Sequence, residues 1–172
     1  MKFEIDVAGY DLFGDSNFTI CIASDDGSII KGFKFNKELI SSLILNWKLD
    51  KYRYPYNLVE TKRGILKARI YSIIIYYLFK SVPKQDFISL TICRDFKGRE
   101  NEIKQNLKFF LDEKLELKTG KPLFQKLLKS SFAHIYASMM RRDKKNLLGS
   151  YINISLEEIE KYLLKRVTPR GR

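Results

Sequence analysis

The chain has 172 residues and a formal net charge of +12, and 45% of it is hydrophobic, with 12 Phe and 10 Tyr among those residues. That length and apolar content suit one domain with a proper core and exclude a disordered chain. The charge prepares the surface for polyanions, because neutralising phosphates releases their counterions, and it points to a nucleic-acid partner, DNA or RNA.

The first element is a strand over residues 2–10, where Phe3, Ile5 and Val7 alternate with Glu4 and Asp6. The charges at Lys2, Glu4 and Asp6 leave no apolar leader at the N-terminus. Residues 17–24 alternate again, Asp25-Asp26-Gly27 is a hairpin turn signal, and residues 28–35 form the return strand. Asn36 caps a helix running to residue 48, with Leu39, Ile40, Leu43 and Trp47 on one face. The segment from Lys51 to Tyr56 is an aromatic and basic loop broken by Pro55.

A long helix over residues 58–80 follows, with an apolar face wide enough for burial against a sheet. Its longest apolar run, residues 70–79, contains Ser72 and is too short to cross a bilayer, so the expectation is a cytoplasmic protein with no membrane segment. Residues 87–94 form a fourth strand, and residues 98–115 an amphipathic helix with Ile103, Leu107, Phe110 and Leu111 inward. A fifth strand lies at either residues 115–118 or residues 123–128. Ser131 caps a helix over residues 132–143, and Ser155 with Glu158 forms a capping box for a last helix over residues 156–165. Residues 1–166 make one domain, followed by a basic, loose tail over 167–172.

Three antiparallel strands followed by alternating helices and strands predict an α/β fold. Its mixed five-stranded sheet carries helices on both faces, and right-handed crossovers place strand 4 beside strand 1. Cys21 and Cys93 sit in strand-like apolar runs and read as small buried residues, neither a disulfide framework nor a zinc site. Abundant Ile, Lys and Tyr give an archaeal or thermophile-like composition.

Four residues are candidates for chemistry. Asp6 stands in mid-strand between apolar neighbours, where a carboxylate needs a cation or a solvated face. Asp95 ends the fourth strand, at the sheet edge where open α/β folds bind ligands, although a turn Asp is common there. Neighbouring strands would set the two carboxylates side by side, which usually implies a shared divalent cation. His134, the single His of the chain, lies in the first turn of a helix that packs on the sheet, and Glu60 begins the long helix. Alone, each has an ordinary reading: a half-buried helix His, and a first-turn acid favoured by the helix dipole.

The order of these positions resembles the RNase H-like superfamily. The local words are most similar to the catalytic domain of Argonaute/Piwi proteins. Ile5-Asp6-Val7 resembles the Asp-Val of its first strand. Cys93-Arg94-Asp95, followed by Gly98 and Glu100, resembles its Arg-Asp-Gly strand end. Phe132-Ala133-His134, with Ala137 and Arg141, resembles its Tyr-Ala-His-x-x-Ala-x-x-x-Arg helix. NurA-type nucleases and endonuclease V share a similar acid and His set. The resemblance implies a metal-dependent nuclease in which Asp6, Glu60, Asp95 and His134 hold two Mg²⁺ or Mn²⁺ ions for phosphodiester hydrolysis.

Substrate contacts are expected from two stretches. Lys51, Tyr52, Arg53, Tyr54, Lys62 and Arg63 either combine phosphate contacts with base stacking or are tyrosines covering the core edge beside solvated cations, and Arg141 and Arg142 form a second basic cluster. Two other readings are a non-catalytic nucleic-acid binder on the same fold and an interaction module for an acidic protein.

Overall fold

Period-two alternation builds the sheet. Strands β1 (Lys2–Ala8), β2 (Thr19–Ser24) and β3 (Ile30–Lys34) form an antiparallel meander in which Asp6 lies opposite Cys21, and Cys21 opposite Gly32. The computed structural model describes residues 1–166, and the tail expected at 167–172 lies outside them. The hairpin turn forms as expected: Asp26 Oδ1 accepts from the Ser24 hydroxyl at 2.6 Å and the Ser28 amide at 3.0 Å, while Gly27 takes φ 72°.

Helix α1 (Lys37–Lys48) starts at Asn36, whose side chain accepts from the Leu39 amide at 2.8 Å. Helix α2 (Glu60–Lys80) is buried at every residue from Leu66 to Phe79, and its exit leads to Pro83. Strand β4 (Phe87–Ile92) runs parallel to β1, with Ile92 beside Ile5, as the crossover rule required. The helix expected over 98–115 is α3 (Glu100–Leu107) continued by a π-helical stretch, Lys108–Lys114, and all four of its expected inward residues are buried.

Neither candidate fifth strand forms at its expected length: only Lys118 of residues 115–118 and Leu123–Phe124 of residues 123–128 pair with β4. Strand β5 (Lys118–Thr119) pairs with the start of β4, and β6 (Leu123–Phe124) pairs with its end. Ile88 faces Thr119 and Thr91 faces Leu123, so three steps along β4 match four along the partner. The extra residue falls at Gly120-Lys121-Pro122, where Pro has no N–H to pair. The sheet is therefore mixed, open and six-stranded, not five-stranded, in the order β3-β2-β1-β4-β5 with β6 also on β4. Only β2 runs opposite to its neighbours.

Helix α4 (Phe132–Arg142) and helix α5 (Leu156–Glu160) complete the chain. The capping box of α5 forms, with Ser155 N donating to Glu158 Oε2 at 2.7 Å and Glu158 N to Ser155 Oγ at 3.1 Å. The helix stops short of residue 165 because Leu164 bridges Tyr52 and the Lys165 amide donates to Lys51 O. Tyr151 bridges Gly32 and covers the β3 edge.

Helices lie on both faces of the sheet. Phe3, Ile5, Ile20 and Ile22 join the α2 side chains in the main core. Residues of opposite parity, Cys21 and Ala23, pack against Ala137 with Met140, and against Ala133, of α4. Two alanines let α4 lie close to the sheet. Among the described residues, no helix is long and apolar enough to cross a membrane. Replacing the fully buried Ala137 with Leu overpacks this interface. It is expected to destabilise the fold by ~1–3 kcal/mol and to shift the NMR resonances of the single His134. Chemical denaturation and imidazole spectra check the two effects.

Candidate metal centre

Asp6 points to the α4 face of the sheet because it alternates with Ile5, and it is 2% exposed. Its Oδ1 accepts from the Val7 amide at 2.9 Å, and its Oδ2 lies 2.8 Å from His134 Nδ1. Ser131 sets the start of α4, its hydroxyl accepting from the His134 amide at 3.4 Å, so His134 sits in the first turn over β1.

The parallel pairing of β4 with β1 brings the second carboxylate. Cys93 N donates to Ile5 O at 2.9 Å, so the chain leaves the sheet beside Asp6, and Asp95 N turns back to Cys93 O at 2.9 Å. One carboxylate oxygen each of Asp6 and Asp95, together with Cys93 Sγ, lie within 4.8 Å of one another. Asp95 is exposed as a residue, yet partial desolvation of its carboxyl, reinforced by the Asp6 charge, holds it above its ordinary value against the opposing pull of Cys93 and His134. Burial and then Asp6 push the Cys93 thiol up to about 12, and Cys21 behaves the same way, also at about 12. Among the described residues no Lys or Arg forms an ion pair with Asp6 or Asp95, and the half-exposed His134 is the partner of Asp6. Two close carboxylates with no lysine or arginine counter-ion form a donor set that fits a divalent cation.

Two clefts meet at Asp95. One, of about 560 Å³, is lined by Asp6, Cys93, Asp95 and His134, with Lys97 and Lys126 at its sides. The other, of about 520 Å³, is lined by Asp95, Asp11, Glu60, Lys67 and Arg99. Glu60 faces this second cleft, 73% exposed at its side chain, and its Oε1 accepts from Lys67 Nζ at 2.9 Å. Lys67 also reaches Asp11 Oδ1 at 2.8 Å. Burial works against the charge on Asp11, but Lys67 and the Phe13 amide outweigh it and hold the carboxyl below its ordinary value.

The four expected residues thus separate into two groups. Asp6, Asp95 and His134 converge, with His134 Nδ1 engaged by the Asp6 carboxylate. Glu60 stands across the neighbouring cleft, tied to an ammonium. Cys93 belongs to the cluster, a role its strand-like setting concealed. Lys67 is a second residue the reading missed; its signal was a lysine inside the apolar run of α2, where burial requires a partner.

The expected nucleic-acid contacts divide similarly. Tyr52 is wholly buried and its hydroxyl donates to Glu160 at 2.6 Å, so it has no face free for stacking. Lys51, Arg53 and Tyr54 lie where α1 meets the C-terminal segment: Lys51 donates to Asn46, Arg53 to Tyr162 O, and Tyr54 O accepts from Trp47. Lys62 and Arg63 follow Glu60 in the first turn of α2, where Arg63 reaches Glu60 Oε2 at 4.0 Å, and neither lines the second cleft. Arg141 pairs with Asp15 at 2.7 Å and lies over the exposed ring of Tyr10, which lines that cleft. Arg142 is exposed and donates back to Ser138 O.

No family model, curated protein or solved structure matches this chain.

The unfolded chain releases the Asp95 proton at a lower pH than the native one, so native stability is fullest below the ordinary Asp range and falls as pH rises through the native value. Asp95→Asn is expected to raise the melting temperature of the metal-free protein near neutral pH. The gain should vanish below about pH 4, where ordinary Asp residues are protonated. Thermal melts of both proteins across pH 3–8 check this.

Proposed function

We propose that the chain is a divalent-metal-dependent nuclease that hydrolyses phosphodiester bonds of DNA or RNA. The observation that carries this reading is the convergence of Asp6, on β1, and Asp95, in the turn after the adjacent parallel β4, with His134 from the helix above them. The strand order 3-2-1-4-5, with β2 alone reversed, supports reading the fold as RNase H-like. The sequence order of Asp6, Asp95 and His134 supports the likeness to the Argonaute/Piwi catalytic domain.

Asp6 and Asp95 would hold the cation, Mg²⁺ or Mn²⁺ on carboxylate chemistry. When bound, such an ion activates water and stabilises charge on the leaving oxygen. The chain's own residues supply the rest. Asp6 fixes the imidazole of His134 through Nδ1, and the half-exposed ring is placed to exchange a proton within the cleft. Lys97 and Lys126 line the same cleft and offer ammonium groups to phosphates.

Glu60 is engaged by Lys67, which favours one cation at Asp6–Asp95 over a two-ion arrangement. The Lys67 ammonium then supplies positive charge in the adjoining cleft. A thiol nucleophile at Cys93 is disfavoured, because burial and Asp6 hold its proton. The engagement of Glu60 also favours a second reading, a non-catalytic nucleic-acid-binding protein on the same fold.

The test is cleavage of single- and double-stranded DNA and RNA with Mg²⁺ or Mn²⁺. Asp6→Asn is expected to abolish cleavage while the fold and polynucleotide binding survive. Cleavage that persists in this variant, or in excess chelator, sinks the nuclease reading. Binding by the wild type with a steep salt dependence, slope about −0.9 per phosphate neutralised on duplex DNA, but with no cleavage under any metal, selects the second reading.

A further inference from the structure

We infer that Cys93 is a ligand of the Asp6–Asp95 centre, and that its sulfur makes the centre prefer a thiophilic ion of the Zn²⁺ or Co²⁺ class over Mg²⁺. The inference rests on the metal-dependent reading above and changes which cation that site takes.

Three observations carry it. Cys93 Sγ shares a 4.8 Å neighbourhood with oxygens of both carboxylates, so a cation held by Asp6 and Asp95 lies within reach of the sulfur. Its backbone is pinned: the Cys93 amide donates to Ile5 O of β1 and its carbonyl accepts from Asp95 N, which keeps the thiol beside Asp6 and on the same turn as Asp95. Cys93 also lines the cleft that holds His134, and its thiol is free of any disulfide.

Cys21 shows the contrast. It lies directly opposite Asp6 on β2, is fully buried, and packs against Ala137 and Met140 of α4. One cysteine is core and the other is at the cleft, although both occupy similar apolar words in the sequence.

Donor chemistry then decides the cation. Carboxylate oxygens alone suit Mg²⁺, whereas a thiolate added to carboxylates suits Zn²⁺ and its neighbours. Asp6, Cys93 and Asp95 make three protein ligands, the number that catalytic zinc sites use while keeping a position open. His134 stays on Asp6 and orients that carboxylate as a positioning residue. As the metal–sulfur bond forms, the thiol proton leaves to solvent.

The experiment titrates the whole, chelator-stripped protein with Co²⁺ and records its absorption spectrum. The expected result is a sulfur-to-cobalt charge-transfer band together with the weaker visible bands of bound Co²⁺. Cys93→Ser should lose the charge-transfer band and keep the visible bands, and Cys21→Ala should keep both. Zn²⁺ affinity should fall in Cys93→Ser by at least ~10–100-fold, the loss typical even of a ligand's own hydrogen-bond partners, while Mg²⁺ affinity stays near the wild-type value. Visible bands without charge transfer in the wild type overturn the inference and leave the metal-dependent reading standing. A charge-transfer band lost only in Cys21→Ala, or Mg²⁺ displacing Zn²⁺ at equal concentration, overturns it as well. A wild type that binds no Co²⁺, Zn²⁺, Mn²⁺ or Mg²⁺ removes both.

Discussion

A carboxylate sits in the middle of the central strand, under a helix, and most of the molecule is arranged around that fact. Asp6 is almost fully buried, and an unpaired charge there would cost several kcal/mol. Two contacts answer the cost on the protein's side, the Val7 amide and the His134 ring. The ring arrives only because α4 approaches closely, and α4 approaches closely because Ala133 and Ala137 face Ala23 and Cys21. The packing of small residues on one face of the sheet is thus what satisfies the charge.

The other half of the centre is a matter of strand direction. β4 runs parallel to β1, so its C-terminal exit falls next to Asp6 and not at the far end of the strand. That exit brings Cys93 and Asp95 to the same place, where desolvation and then the neighbouring Asp6 charge hold the Asp95 carboxyl above its ordinary value. The neighbouring cleft resolves its charges internally: Lys67 binds both Asp11 and Glu60. There the carboxylates share an ammonium, whereas among the described residues Asp6 and Asp95 have no lysine or arginine ion-pair partner. That difference is what draws the functional reading to Asp6 and Asp95.

Much of the fold was legible in the residues. Alternation in β1, β2 and β4, the Asn36 and Ser131 caps and the Ser155–Glu158 box are local signals, and each produced the element it announced. The fifth strand was not legible, because two-residue pairings leave no periodicity to read and are made by the β4 edge they attach to. The early stop of the last helix has the same origin, since a partner segment at Lys51–Tyr52 takes over its backbone groups. Tyr52 admits two readings in the sequence, a stacking aromatic and a core-edge one, and it is a core residue; nothing local distinguishes the two.

The sequence by itself determined that Asp6 lies on a strand, that Asp95 follows the end of one, and that His134 sits in the first turn of a helix, because period and capping are properties of neighbouring residues. It also determined a basic surface, since charge is additive along the chain. Only the tertiary structure decided that Asp6, Cys93, Asp95 and His134 meet while Glu60 does not. It likewise decided that Cys21 and Cys93, alike in local setting, divide into a core residue and a cleft residue. The physical reason is that convergence depends on which strand pairs with which and on how near a helix can pack, and both are settled by residues far apart in the chain.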